Sequence, residues 1–244
     1  MKIIMSPAKK MRVDEDASLK LTTPCFLDKS IVLENKLKSM RYEELKKLWK
    51  TNDKLTYQCY EELMNRSHMS LSAAIYAYEG IAFKYLHPYS LTAEEMNYLE
   101  GHLCILSGLY GLLRPSDGIV PYRLEMGVRS LNLYDFWGKD IYDAINDHII
   151  INLASAEYSK CIKDHLTSKD QLIDIQFLRE VNGKLKQQAT YAKMARGALI
   201  SYMAKNHIEE IEDIKGFNEL GFKFDQELSH DQCYVFVQSE GNYE

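Results

Sequence analysis

The chain has 244 residues, 46% of them hydrophobic, and a formal net charge of −5. That length permits one large domain or a main domain with a small lobe, and the apolar content argues for a sizeable core and against wholesale disorder. A modestly acidic balance excludes a protein that coats nucleic acid through bulk charge, so any polyanion site has to be a local basic cleft.

The opening residues, MKIIMSPAKK, hold a short apolar run before Ser6 and Pro7. It is too short for the core of a secretion signal, and no segment approaches the roughly 18 apolar residues of a membrane span. The expectation is a cytoplasmic protein with no membrane partner. Lys2 to Met5 reads as a strand that stops at Pro7, because proline removes a ladder donor. Residues 30–66 carry helical spacing, with Thr51-Asn52-Asp53-Lys54 as a break or cap between two helices. Thr92 and Glu95 have the spacing of a capping box for a helix running toward Leu103.

Residues 105–127, ILSGLYGLLRPSDGIVPYRLEMG, crowd chain-bending and charged residues beside an apolar run. A helix, a turn at Gly108 and Gly111 and a second helix would direct backbone amides at a phosphate, and a plain connector is the alternative. In PYRLEMG the alternation places Tyr122, Leu124 and Met126 on one face and Arg123 and Glu125 on the other. There the two charges form either an exposed ion pair or a cleft wall in which Glu125 holds Arg123 for an anion.

The run IIINL at 149–153 reads as a strand passing through Ala154-Ser155 into a helix. Its C-terminal end is where parallel and mixed sheets bind ligands. Ser155 suits an N-cap, while Asn152, Glu157 and Lys160 are placed to reach a ligand from the same mouth. Residues 171–188 read as two strands joined at Asn182-Gly183, a type I′ hairpin turn. A helix follows from about Thr190 to Asn206, whose inward stripe begins at Tyr191 and which projects Lys193 and Arg196 together. A strand pair at 222–226 and 233–237 completes the chain. Short strands among many helices, with one clear hairpin, predict a single domain over residues 1–244 of α+β or mixed α/β class, a mixed sheet surrounded by helices.

Five cysteines and seven histidines are scattered. None makes a C-x-x-C, H-x-x-x-H or H-E-x-x-H pattern, so neither a disulfide framework nor a metal site is expected. The cysteines are expected to be reduced and mostly buried. Walker, G-x-G-x-x-G and G-x-S-x-G motifs are absent, and no cofactor is expected.

SPAK at 6–9, DKL at 53–55, LSGLYGLLRP at 106–115, PYRLEMG at 121–127, INLAS at 151–155, YAKMARG at 191–197 and GFNELGF at 216–222 together resemble the YaaA family of bacterial peroxide-stress proteins. The resemblance runs from end to end. It implies a cytosolic protein that limits peroxide damage, in connection with low intracellular iron. It also implies one compact α/β domain with a basic cleft and a helix-hairpin-helix-like element associated with DNA binding, which falls on residues 106–115.

Two functions are compatible with these residues. In the first, Lys9, Lys54, Arg114, Arg123, Lys160, Lys193 and Arg196 bind the DNA backbone without base-specific readout. In the second, the same cleft holds a small anionic metabolite or nucleotide, and Asp53, Tyr122, Glu125, Ser155, Glu157 and Tyr191 supply acid–base chemistry. Both expect the charged motif residues to converge on one cleft.

Overall fold

At the centre of the computed structural model, which describes residues 1–14 and 19–239, five strands run parallel through the core. The sheet contains β1 (Lys2–Met5), β2 (Leu103–Ser107), β3 (Gly111–Leu113), β4 (Ile149–Leu153), β5 (Gln171–Val181), β6 (Lys184–Lys186), β7 (Phe222–His230) and β8 (Cys233–Gln238). Its order is β7-β8-β5-β4-β1-β2-β3, with β6 also paired to β5. Strands β8, β5, β4, β1 and β2 are mutually parallel, and β3, β6 and β7 are antiparallel additions at the margins.

Composition accounts for this arrangement. Ile3, Ile4 and Met5 of β1, all of β2 and residues 150–153 of β4 are buried. Near-continuous apolar runs of this kind suit strands covered on both faces. The covering helices include α1 (Leu27–Lys38), α2 (Tyr42–Trp49), α3 (Asp53–Met64), α4 (Ile81–Leu86), α5 (Ala93–His102), α6 (Ala156–Lys163) and α7 (Ala189–Lys205). The result is one α/β domain with a mixed sheet surrounded by helices.

Local signals set several boundaries. Lys50 takes a left-handed conformation that ends α2, and the Asn52 side chain accepts from the Leu55 amide to open α3. Thr92 Oγ1 accepts from the Glu95 amide at 3.2 Å, while the Glu95 carboxylate accepts from the Thr92 amide at 2.8 Å, so the capping box is formed. Asn182 and Gly183 both have positive φ in the turn between β5 and β6, as a type I′ hairpin requires.

The stretch 105–115 departs from expectation. It is a β-hairpin, not two helices, so the helix-hairpin-helix-like element does not lie there. Gly111 supplies the positive φ of the turn. Gly108 serves a different need: a Cβ there would lie 2.4 Å from the Leu124 carbonyl oxygen. The two glycines therefore let the chain turn and let residues 124–125 cross closely over it. Residues 121–125 belong to no strand; Leu124 and Met126 are buried as predicted, but Tyr122 is only half-buried, like Arg123 and Glu125.

Candidate functional site

The C-terminal ends of β1 and β4 lie side by side, because Met5 pairs with Leu153. Just beyond them, the Ser6 hydroxyl accepts from the Ser155 amide at 2.8 Å and lies 3.2 Å from the Ser155 hydroxyl. Ser155 occupies the N-cap position of α6, but its side chain does not cap the helix amides as expected; it is turned toward Ser6.

A cavity of about 450 Å³ opens at these strand ends. Its walls come from residues 5–10, the start of α4, residues 122–125, the β4–α6 junction and the first turns of α7. Five cations, Lys9, Lys10, Arg123, Lys193 and Arg196, face three carboxylates, Glu79, Glu125 and Glu157. The carboxylates are largely engaged. Lys10 pairs with Glu79 at 2.6 Å, Lys9 with Glu125 at 2.8 Å, and Glu157 Oε1 accepts from the Gly127 amide at 2.7 Å.

The arginines are less fully engaged. Arg123 forms an ion pair with Glu125 at 3.7 Å, and among the described residues its buried Nε has no hydrogen-bond partner. Arg196 Nε is likewise buried and unpaired, and loss of solvent lowers the pKa of its guanidinium, countered only in part by the charge of Asp174. Its neighbour Gly197 explains why: a Cβ there would lie 2.0 Å from the Ala82 carbonyl oxygen, so α4 packs directly on the backbone of α7. Lys193 stays exposed one turn earlier. The two cations expected to project together thus differ, one solvated and one half-buried.

Two tyrosines, Tyr122 and Tyr158, line the cavity. Tyr122 shares hydrogen bonds with Tyr78 at 2.8 Å and with Ser107 at 2.7 Å. Burial pushes the Tyr122 phenol up to about 12, against the lowering effect of those two bonds, and drives Tyr78 and Tyr158 upward as well. These hydroxyls therefore remain protonated near neutrality and act as hydrogen-bonding groups rather than bases.

Of the residues singled out in the sequence, Lys9, Tyr122, Arg123, Glu125, Ser155, Glu157, Lys193 and Arg196 meet at this cavity. The others lie elsewhere. Asp53 pairs with Lys46, Lys54 is exposed on the first turn of α3, Arg114 pairs with Asp117 at 3.3 Å and Lys160 pairs with Asp164 one helical turn on. Tyr191 stacks under Arg179, whose guanidinium carbon is 3.6 Å from the ring centroid. Asn152 turns away, donating to Asp174 at 2.6 Å. Sequence reasoning missed Ser6, Glu79 and Tyr158. Ser6 had a usable signal, a polar residue directly after a strand that proved parallel.

The match to known proteins runs along almost the whole chain. The family model described as "Peroxide stress protein YaaA" matches residues 1–228. The chain belongs to the YaaA peroxide stress protein family. Relatives named UPF0246 protein include one from Agathobacter rectalis, 47% identical over 97% of this chain and 98% of that protein. Others are found in Desulfitobacterium hafniense, 43% identical with 98% of each chain covered, and Lactiplantibacillus plantarum, 42% identical over 97% of this chain and 99% of that protein.

For a family of peroxide stress proteins, the thiols and metal donors are of direct interest. All five cysteines are free, and four are buried. Burial raises every thiol, Cys59 to about 11 and Cys104 and Cys161 to about 12, so thiolates are scarce at neutral pH. Among the described residues no three His, Cys, Asp or Glu side chains are grouped to hold a metal ion, and no helix is long and apolar enough to cross a membrane.

Proposed function

We propose that this YaaA-family protein serves the peroxide stress response as an enzyme on a small anionic ligand, a phosphorylated or carboxylated metabolite or a nucleotide, held in the 450 Å³ cavity. One observation carries the reading: Arg123 and Arg196 line the same cavity, and each keeps a buried Nε with no acceptor. A half-buried guanidinium whose Nε lacks an acceptor is costly, and an entering anion removes that cost. The arginines and Lys193 bind the anion, and protonated Tyr122 and Tyr158 orient it. Glu125, set between Lys9 and Arg123, is the carboxylate placed to take a proton from it.

The competing reading has duplex DNA bound through its backbone. It draws on cations that the fold disperses, since Lys54, Arg114 and Lys160 lie away from the cavity and two of them are paired to neighbouring carboxylates. The variant K193A/R196A separates the two. On our reading it loses calorimetric binding of inorganic phosphate, and the dependence of duplex affinity on salt is unchanged. On the duplex reading phosphate binds neither protein, and the slope of log affinity against log salt falls by roughly 0.9 for each DNA phosphate that the variant no longer neutralises.

A further inference from the structure

A second cavity, of about 740 Å³, adjoins the first and shares Lys9, Arg123, Glu125 and Glu157 with it. Its far wall is the C-terminal end of α2, and its other side is the turn following Gly127. Lys47 and Lys50 on that wall are exposed, and Arg129 faces them from the turn. Lysines in the last turn of a helix are ordinarily explained by the helix dipole. Lys46, for example, is satisfied by Asp53. The dipole does not explain Trp49, which lies between Lys47 and Lys50 and lines the same cavity.

Trp49 is 5% exposed, and its indole Nε1 is a buried donor with no acceptor. The other tryptophan, Trp137, shows the usual solution, donating to the Gly108 carbonyl at 3.1 Å. A buried N–H left unpaired is destabilising. The shared Arg123, whose Nε is also unpaired among the described residues, lines both cavities. Two neighbouring cavities thus each carry an orphaned buried donor of their own, Trp49 in one and Arg196 in the other, with Arg123 common to both.

We infer that the 740 Å³ groove is a second anion subsite, recruiting Lys47, Trp49, Lys50 and Arg129, and that the ligand carries two separated anionic groups bridged at Arg123. This rests on the reading of the first cavity as an anion site and extends it to a substrate class: doubly phosphorylated or otherwise doubly anionic small molecules. The shorter ligands that fit the first cavity alone would leave Trp49 and the lysines unused.

The test titrates the full chain with inorganic phosphate and with linear tripolyphosphate at fixed ionic strength, for wild type, K47A/K50A and R196M. The expected result is that wild type binds tripolyphosphate roughly tenfold or more tighter than phosphate, the gain of a second charge-assisted contact. K47A/K50A should lose that preference and still bind phosphate, whereas R196M should weaken both. Fluorescence gives an independent readout: tripolyphosphate changes tryptophan emission in wild type but not in W49F, and phosphate changes it in neither. Equal affinities in wild type, or a preference untouched by K47A/K50A, would overturn the second subsite while leaving the first intact. Failure of both probes to bind would overturn both. Duplex DNA binding that K47A/K50A weakens with a reduced salt slope, without phosphate binding, would assign the groove to a polymer instead.

Discussion

Arg66 is buried and Arg196 half-buried, and the two are furnished very differently. Arg66, 6% exposed, has Glu34 at 2.9 Å from its Nε, donates to the Pro121 carbonyl at 3.0 Å and also donates to the Tyr110 hydroxyl. It contacts Pro121 and Tyr122. At the cavity lined by Tyr122 and Arg123, by contrast, Arg123 and Arg196 have Nε atoms that are unpaired among the described residues. A charge that serves the fold is surrounded by its acceptors; a charge that waits for a ligand is not. On the proposed function, that difference separates the structural face of the 121–125 segment from the face that meets a ligand.

That contrast can be broken most severely at Arg66. The substitution R66M leaves Glu34 with only its ion pair to Lys38 and removes two hydrogen bonds from a buried guanidinium, and should cost about 3–5 kcal/mol of stability in urea denaturation. A loss near zero would mean that satisfied acceptors do not mark a structural arginine here. Next in size is G197A. The added methyl meets the backbone of α4, at 2.0 Å from the Ala82 oxygen, and should destabilise by about 1–3 kcal/mol while displacing Arg196 and weakening phosphate binding. Retained binding would show that the close packing of α4 is not what places the arginine.

A third prediction concerns a carboxylate furnished like Arg66. Asp170 has no exposed side-chain surface, and its oxygens accept from His148, the Thr167 amide and hydroxyl, and Tyr142. The His148 bond, then the Thr167 amide and Tyr142, hold its carboxyl well below the usual range. Because the folded value is depressed, its contribution is fully present above the ordinary aspartate range and is lost as pH falls below it. D170N should therefore cost about 1–3 kcal/mol at neutral pH and flatten the acid limb of a stability profile measured from pH 7 downward. An unchanged acid limb would assign acid sensitivity to other groups.

How much of this was readable beforehand depends on the range of the signal. Lys2–Met5, the Thr92–Glu95 box, the IIINL strand and the Asn182-Gly183 turn are local patterns, and the structure reproduces each. The motif around Gly108 misled because two glycines three apart suit a helical turn as well as a hairpin, and only the crossing of residues 124–125 decides between them. Lys193 and Arg196 follow the spacing of an exposed pair. What buries the second is the approach of α4, a tertiary contact with no trace in that helix's own periodicity. Lys160 and Arg114 looked like site cations, but carboxylates four and three residues away had already claimed them.

The smallest effect expected is also the most direct. In paired thermal melts of wild type and R196M, with and without inorganic phosphate, removal of a half-buried charge whose Nε lacks an acceptor should raise the stability of the ligand-free protein by roughly 1 kcal/mol, or about 2–4 °C. Phosphate should raise the melting temperature of wild type and leave R196M unmoved. A ligand-free R196M that melts below wild type, together with a wild type indifferent to phosphate, would mean that Arg196 supports the fold and that the cavity is not an anion site.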